Sequence, residues 1–278
     1  AVGCNVVDVD GNRFVDLTAG FGVASAGHRN PRVVAAAQAQ PDRLVHVMGD
    51  AYPDTQRIVL LELLAEKTGL DRAILGSSGS DGVEAALKTG RIMSGRPGIL
   101  SFDSGYHGLS YGALAVTGYQ GEAFRGPFEA QLGSHVQRSE FGGPIPDLSN
   151  IGTVVVEPIQ GRGGVRVPPA GWLRELADRT RMAGAVLVFD EVYTGFGRTG
   201  DWFAFQHEDV RPDLLALGKG MAGGFPISAC IGTAEAMDAW GASQGEALHT
   251  QTFLGNPVGC AMAVACIREL ETIIPNMQ

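Results

Sequence analysis

Apolar residues along the chain fall into two kinds of pattern, short unbroken runs of β-branched and aliphatic residues and longer stretches with helical spacing, and the two alternate. Residues 6–17 alternate apolar and polar around Asp10-Gly11, the dipeptide that favours a tight turn, so the chain opens with a β-hairpin. Residues 31–40 and 55–67 have helical spacing, the second with Ile58, Leu61 and Leu64 on a stripe and Gly69 as a stop. Then come strand 73–75, helix 82–93, strand 98–102, strand 153–156 and a helix over 171–182 with Leu173, Leu176, Ala177 and Thr180 on one face. Two more apolar runs follow, 185–190 and 214–219. A helix over 257–271 begins at Pro257, where the missing N–H costs least.

Strands alternating with helices predict an α/β fold: a mostly parallel central sheet with helices on both faces, preceded by the N-terminal hairpin. The composition agrees, with 45% hydrophobic and only 18% charged residues, as a large buried sheet requires. The 21 basic residues are outnumbered by 30 acidic ones, so the footprint of a nucleic-acid binder is missing. Cys4, Cys230, Cys260 and Cys266 form no Cys-x-x-Cys pair and read as reduced thiols. No apolar stretch suits a bilayer span and no leader pattern opens the chain, which predicts a cytoplasmic protein without membrane partners. Both ends look cut, since the chain starts at Ala1 and stops just after a helix-like stretch.

The two late apolar runs end in charges, Asp190 and Lys219, that a buried strand does not tolerate without a partner. In open α/β sheets the edge where strands stop is where ligands bind. A lysine there is ordinarily a surface residue with its amine in water. Lys219, however, sits among Gly218, Gly220, Gly223 and Gly224, where little side chain competes for space, and a desolvated amine becomes a usable nucleophile. Asp190, flanked by Phe189 and Val192, reads as buried beside a cation. A carboxylate and an amine on one rim are what pyridoxal phosphate needs, one to hold its ring nitrogen protonated and one to form a Schiff base.

Residues 76–82, Gly-Ser-Ser-Gly-Ser-Asp-Gly, join a strand to a helix and offer backbone N–H groups to a phosphate, although a flexible loop with a serine cap reads the same way. Gly195-Phe-Gly-Arg-Thr-Gly200 formally fits a dinucleotide fingerprint, but it starts beyond the strand end and no helix pattern follows it. Gly218-Lys219-Gly220 lacks the rest of a P-loop. Tyr106-His107-Gly108, after strand 98–102, offers an aromatic face for a heterocycle. His28, His46 and His249 lack metal-ligand spacing and read as structural.

Taken in order, these segments resemble the class III pyridoxal-phosphate aminotransferases of fold type I, the group that includes ω-amino acid, ornithine, acetylornithine and 4-aminobutyrate transaminases. The resemblance is colinear and rests on Val9-Asp-Gly-Asn-Arg13, Gly27-His28-x-x-Pro31, Ser78-Gly-Ser-Asp-Gly-Val-Glu-Ala-Ala-Leu-Lys88, Tyr106-His-Gly108, Val156-Glu-Pro-Ile-Gln-Gly161, Phe189-Asp-Glu-Val-Tyr-Thr-Gly-Phe-Gly-Arg-Thr-Gly200, Leu217-Gly-Lys-Gly220 and Thr252-Phe-Leu-Gly-Asn-Pro257. It implies that Lys219 forms the Schiff base and later carries the proton, and that Asp190 pairs with the pyridine nitrogen. Gly79 and Ser80 would hold the phosphate, and Thr252 would reach the phosphate of the neighbouring subunit in a homodimer. Tyr106 would stack on one ring face and Val192 on the other, Tyr193 would lie near the 3-hydroxyl, and His107 would also bind the cofactor. Glu157, Arg162 and Val23 would line the substrate side. The implied reaction is ping-pong transfer of an amino group from an ω-amino acid or acetylornithine-like donor to a 2-oxo acid.

The departures are specific. The phosphate motif of the family usually reads Asn-Ser-Gly-Thr-Glu-Ala, here Ser77-Ser-Gly-Ser-Asp-Gly82. Several ω-amino acid members carry an acid after Gly161 that pairs with a C-terminal arginine; this chain has Arg162, which is expected to attract a substrate carboxylate itself. By resemblance, residues 1–46 belong with a small domain and 47–278 form the large cofactor-binding domain. The C-terminal small domain is expected to be absent, through truncation or an incomplete record. The alternatives are a cofactor-binding but impaired homologue, and aminomutase or lyase chemistry on the same scaffold.

Overall fold

The computed structural model describes residues 1–243 and 245–277. The hairpin forms as expected, from β1 (Asn5–Val7) and β2 (Arg13–Val15) in antiparallel register with Val7 opposite Arg13. Asp8 closes its turn by accepting N–H bonds from Asp10 and Asn12 at 3.0 and 2.9 Å. A one-turn segment, α1 (Ala19–Gly22), follows, in which Gly20 and Phe21 are left-handed, with φ near 59° and 63°.

Next come α2 (Pro31–Ala39), capped by Asn30, and α3 (Thr55–Thr68), capped by Asp54 and ended by Gly69 at φ 68°. The stripe on α3 is set differently from the expected one: Leu60 and Leu64 are buried, whereas Ile58 is 45% exposed. Helix α3 lies on the terminal helix, which takes the Leu60 side as its contact face.

The body is a seven-stranded sheet with β3 (Arg72–Gly76), β4 (Gly98–Phe102), β5 (Val136–Ser139), β6 (Ile151–Val156), β7 (Val186–Asp190), β8 (Leu214–Leu217) and β9 (Ser228–Gly232), in the spatial order 3-9-8-7-6-4-5. All neighbours are parallel except those of β9, which runs against both β3 and β8. The mostly parallel expectation holds with this one reversed strand. Strands β5 and β9 were not foreseen. Neither Val136-Gln-Arg-Ser139 nor Ser228-Ala-Cys-Ile-Gly232 is a long apolar run.

The remaining helices are α4 (Gly79–Ser94), α5 (Tyr111–Val116), α6 (Gly121–Phe124), α7 (Trp172–Met182), α8 (Ala234–Asp238) and α9 (Pro257–Ile273). The two-residue period of the strands sorts their side chains into two cores. Val154, Val156, Leu187, Phe189, Leu215 and Leu217 face α3, α7 and α9. Val155, Val186, Val188, Leu214 and Ala216 face α4 and α8. On α7 the expected face of Leu173, Leu176, Ala177 and Thr180 is the buried one.

Two boundaries move for physical reasons. Helix α4 starts at Gly79, a turn earlier than expected, because Ser78 and Asp81 form a reciprocal capping box. Strand β8 ends at Leu217 rather than running to residue 219. Gly218 and a single tight turn over Lys219–Met221 follow, with Lys219 at φ 36°. Among the described residues, no helix is long and apolar enough to cross a membrane. The Gly195 to Gly200 segment is a run of turns that passes close to Ile274 at Gly197, and the strand, turn and helix of a dinucleotide site are not formed there.

Candidate active site

Six of the seven strands run in one direction and end on one edge of the sheet, and a cavity of about 260 Å³ opens there. Strand β7 brings Asp190 as its last residue, β8 leads through Gly218 to Lys219, and β6 leads to Glu157. The loop after β4 supplies Tyr106, His107 and Gly108, and β3 leads into Ser78, Gly79 and Ser80 at the start of α4. The parallel arrangement itself therefore gathers residues far apart in sequence.

At the base of the cavity Asp190 is buried, and its Oδ2 lies 2.8 Å from Nδ1 of His107. Its other oxygen accepts the N–H of Val192 at 3.0 Å. Burial alone would lower the His107 pKa, but the bond and charge of Asp190 outweigh it and raise it. A carboxylate has about four lone-pair positions, so Asp190 keeps capacity for a donor from the cavity.

Glu157 is buried beside this pair and held by two backbone donors, Tyr106 N–H at 2.8 Å and Gly161 N–H at 3.2 Å. Burial pushes its pKa up to about 7, against the opposing pull of His107. The Lys219 amine is shifted down, by burial first and with a contribution from the positive Arg162, while Asp190 and Glu157 oppose the shift. Its Nζ lies 4.9 Å from the centre of the Tyr193 ring. That ring is wedged between two glycines: a Cβ on Gly22 would come within 3.2 Å of it and one on Gly161 within 2.5 Å.

The opposite end of the cavity is an anion cradle. Gly79 and Ser80 occupy the first turn of a sixteen-residue helix, so their N–H groups have no carbonyl within the helix to bond. Asp81 satisfies the N–H groups of Ser77 and Ser78, each at 2.9 Å, and leaves the next two to a ligand. Space above is kept by Gly108, at φ 121°, whose missing Cβ would collide with Ser80 Oγ. Val192 closes the floor, 2.9 Å from where a Cβ on Gly79 would be.

The fit to pyridoxal phosphate can be judged from these groups. A phosphate has unpaired N–H groups at a helix start, a ring nitrogen has a buried carboxylate with spare lone pairs, and an aldehyde has a lysine amine shifted toward its neutral form. The residues present suit that cofactor. Of the expected site residues, Gly79, Ser80, Tyr106, His107, Glu157, Arg162, Asp190, Val192, Tyr193 and Lys219 all line the cavity.

Two expected residues do not line it. Val23 follows the left-handed α1 turn and is not among the lining residues, whereas Phe21 within that turn is. Thr252 stands in an exposed turn whose neighbour Gln251 accepts a bond from Ser77 at 3.1 Å. Phe21 and Ser78 were not singled out from sequence. Phe21 gave no periodic signal, whereas the capping pattern Ser78-x-x-Asp81 could have marked Ser78.

Comparison with known proteins agrees with this geometry. The family model described as "Aminotransferase class-III" matches residues 1–141 and 146–277. The acetylornithine aminotransferase of Methanopyrus kandleri is 39% identical over 99% of this chain and 70% of its own length. That of Methanosarcina acetivorans is 37% identical over 96% of the chain and 66% of its own length. Among solved structures, the ornithine aminotransferase of Toxoplasma gondii superimposes with a TM-score of 0.89 at 31% identity, covering 98% of this chain and 66% of that one. An amine transaminase from an uncultivated Pseudomonas species, solved in its PLP-bound form, gives 0.89 at 30% identity, with 98% and 70% covered. The chain thus spans about two thirds of the length of the relatives it matches.

Proposed function

The chain belongs to the class III aminotransferases, and on that premise we propose that it transfers an amino group from an acetylornithine-like or ω-amino acid donor to a 2-oxo acid with pyridoxal phosphate. The observation that carries the reading is the convergence of Lys219, Asp190 and the Gly79 and Ser80 cradle on one cavity. The donor class is supported by the relatives named acetylornithine aminotransferase.

When bound, the cofactor supplies an aldehyde that takes up the amine and a ring that accepts the electron pair released at the substrate carbon. The residues divide the remaining work. Gly79 and Ser80 hold the phosphate by their N–H groups. Asp190 keeps a proton on the ring nitrogen, and His107 fixes the carboxylate that does so. Tyr106 and Val192 confine the ring, and Tyr193 lies beside the lysine amine. Lys219 Nζ, lowered by burial, is the base that takes the proton from the substrate carbon and returns it. Glu157, its pKa raised by burial to about 7, is only partly charged near neutrality on the substrate side.

Self-association belongs to the same reading. Val45, Met48, Tyr52 and Phe253 are large exposed apolar residues on two adjoining segments, joined by His46 against Phe253 and by Asn256 to Val45. Such a patch is what a second copy would cover, and Thr252 stands within it, which supports a homodimer with Thr252 reaching the partner's phosphate site. A cytoplasmic location fits four cysteines that are all free.

The test is a ping-pong assay with pyridoxal phosphate, acetylornithine, ornithine or 4-aminobutyrate as donor and a 2-oxo acid as acceptor. Amino transfer with parallel double-reciprocal lines, lost in Lys219→Ala, is expected. Borohydride reduction should leave the pyridoxyl mass on the peptide containing Lys219. Cofactor trapped on Lys219 without amino transfer to any acceptor would refute the proposed activity.

A further inference from the structure

Arg162, a cation on the cavity rim, is surrounded by aromatic rings. Its guanidinium carbon lies 4.4 Å from the ring centre of Tyr106, 5.4 Å from those of Tyr119 and Phe124, and 5.7 Å from that of Phe21. Those rings come from four separate segments. Tyr106, Tyr119 and Phe124 also pack on one another with centres 5.9 to 6.4 Å apart. The cage is therefore a packed unit, not a set of side chains drawn in by the arginine.

The backbone beneath is equally fixed. Gln160 and Arg166 exchange two backbone bonds, at 3.0 and 2.9 Å, so residues 160–166 form a closed loop that carries Arg162 at its near end. Among the described residues Arg162 makes no hydrogen bond and no salt bridge. The carboxylates that share its cavity are already held, Glu157 by Tyr106 and Gly161 N–H groups and Asp190 by His107 and Val192.

We propose that caged Arg162 is the receptor for a substrate carboxylate, with Tyr119 and Phe124 as its positioning residues. This rests on the transaminase reading and names the group on the substrate that selects it. Aromatic rings engage the flat face of a guanidinium, and its five N–H donors point outward in the plane. A carboxylate can take two of them side by side. The guanidinium is weakly hydrated, so it waits in the cavity at low cost, and the rings remove the side-chain freedom that binding would otherwise have to freeze. In a ping-pong reaction the amino acid and the 2-oxo acid occupy the site in turn, so one anion receptor serves both halves.

The test uses the cofactor-loaded protein and Arg162→Gln, Arg162→Lys and Tyr119→Leu/Phe124→Leu variants. Loss of a charge-assisted pair should cut the ratio of kcat/KM for a carboxylate-bearing donor over a carboxylate-free primary amine about 10- to 100-fold in Arg162→Gln. Arg162→Lys should recover part of that ratio, and the double variant should raise KM for the carboxylate-bearing donor more than it lowers kcat. Calorimetry with glutarate, an anion with no amine to transfer, reads the site without turnover, and weaker binding by Arg162→Gln is expected. An unchanged ratio and unchanged glutarate affinity in Arg162→Gln would overturn the proposal while leaving the transaminase reading intact. Arginine-dependent glutarate binding in a protein that transfers no amino group would do the reverse.

Discussion

His107 Nδ1 and Asp190 Oδ2 lie 2.8 Å apart with both side chains almost wholly buried, so the residue proposed to meet the cofactor ring nitrogen is itself held by a second residue. Replacing His107 by Phe would leave Asp190 with only the Val192 N–H. Breaking a buried pair by removing one partner costs about 3 to 5 kcal/mol. His107→Phe should lower the denaturant midpoint accordingly and weaken cofactor affinity, read by titration of pyridoxal phosphate into the apoprotein. His107→Asn, which can still donate, should retain more of both.

The Glu157 pKa is raised from 4.5 to about 7. A raised carboxyl binds its proton more tightly when folded, so its stabilising contribution is complete below about pH 4.5 and is lost as pH climbs to about 7. Within that window the slope is at most about 1.4 kcal/mol per pH unit. His107, raised from 6.5, adds a loss of the same sign above that value. Buried Glu191, likewise raised to about 7, contributes over the same window, so urea unfolding from pH 4.5 to 8 should show stability falling with pH, and Glu157→Gln should make the lower part shallower without abolishing it.

Gly161 faces the Tyr193 ring so closely that a Cβ would sit 2.5 Å from it. Gly161→Ala should push the ring toward Lys219 and lower kcat about 10-fold, since displacing a group by about an ångström at a reacting centre has effects of that size or larger. Measured unfolding should change much less, because the ring lies at the cavity wall.

Glu191 is fully buried next to Asp190, yet it faces away from the cavity. It accepts N–H bonds from Ala204 and Phe205 and the hydroxyl of Thr194, each at 2.8 Å. Glu191→Ala should destabilise the fold by about 2 to 5 kcal/mol through donors left without an acceptor. Cofactor affinity at a temperature where the variant is folded should stay near that of the parent.

Much of the site could be read before the fold was known, and the reason is local. Asp190 and Lys219 stand at the ends of apolar runs that only a buried strand explains, and Gly79 and Ser80 follow a strand and open a helix. Spacing marked these positions as candidates, and the resemblance of the continuous motifs around them gave each its expected role. The strand boundary at Leu217 was not legible, because Gly218 and Lys219 leave the ladder through backbone angles that composition does not report. Strand β9 was missed for the opposite reason: Ser228-Ala-Cys-Ile-Gly232 is too short and mixed to stand out, and pairing on both sides makes it a strand.

The sequence by itself determined the alternation of strands and helices, the two charges at the sheet edge and the cofactor chemistry they suit, since each of these is written within a few neighbouring residues. Only the tertiary structure decided what surrounds them. The pairing of His107 with Asp190 spans 83 positions, Phe21 in a left-handed turn lines the cavity where Val23 does not, and the rings around Arg162 come from residues 21, 106, 119 and 124. These are contacts between elements that the parallel sheet brings to one edge, and no local pattern encodes where such elements meet.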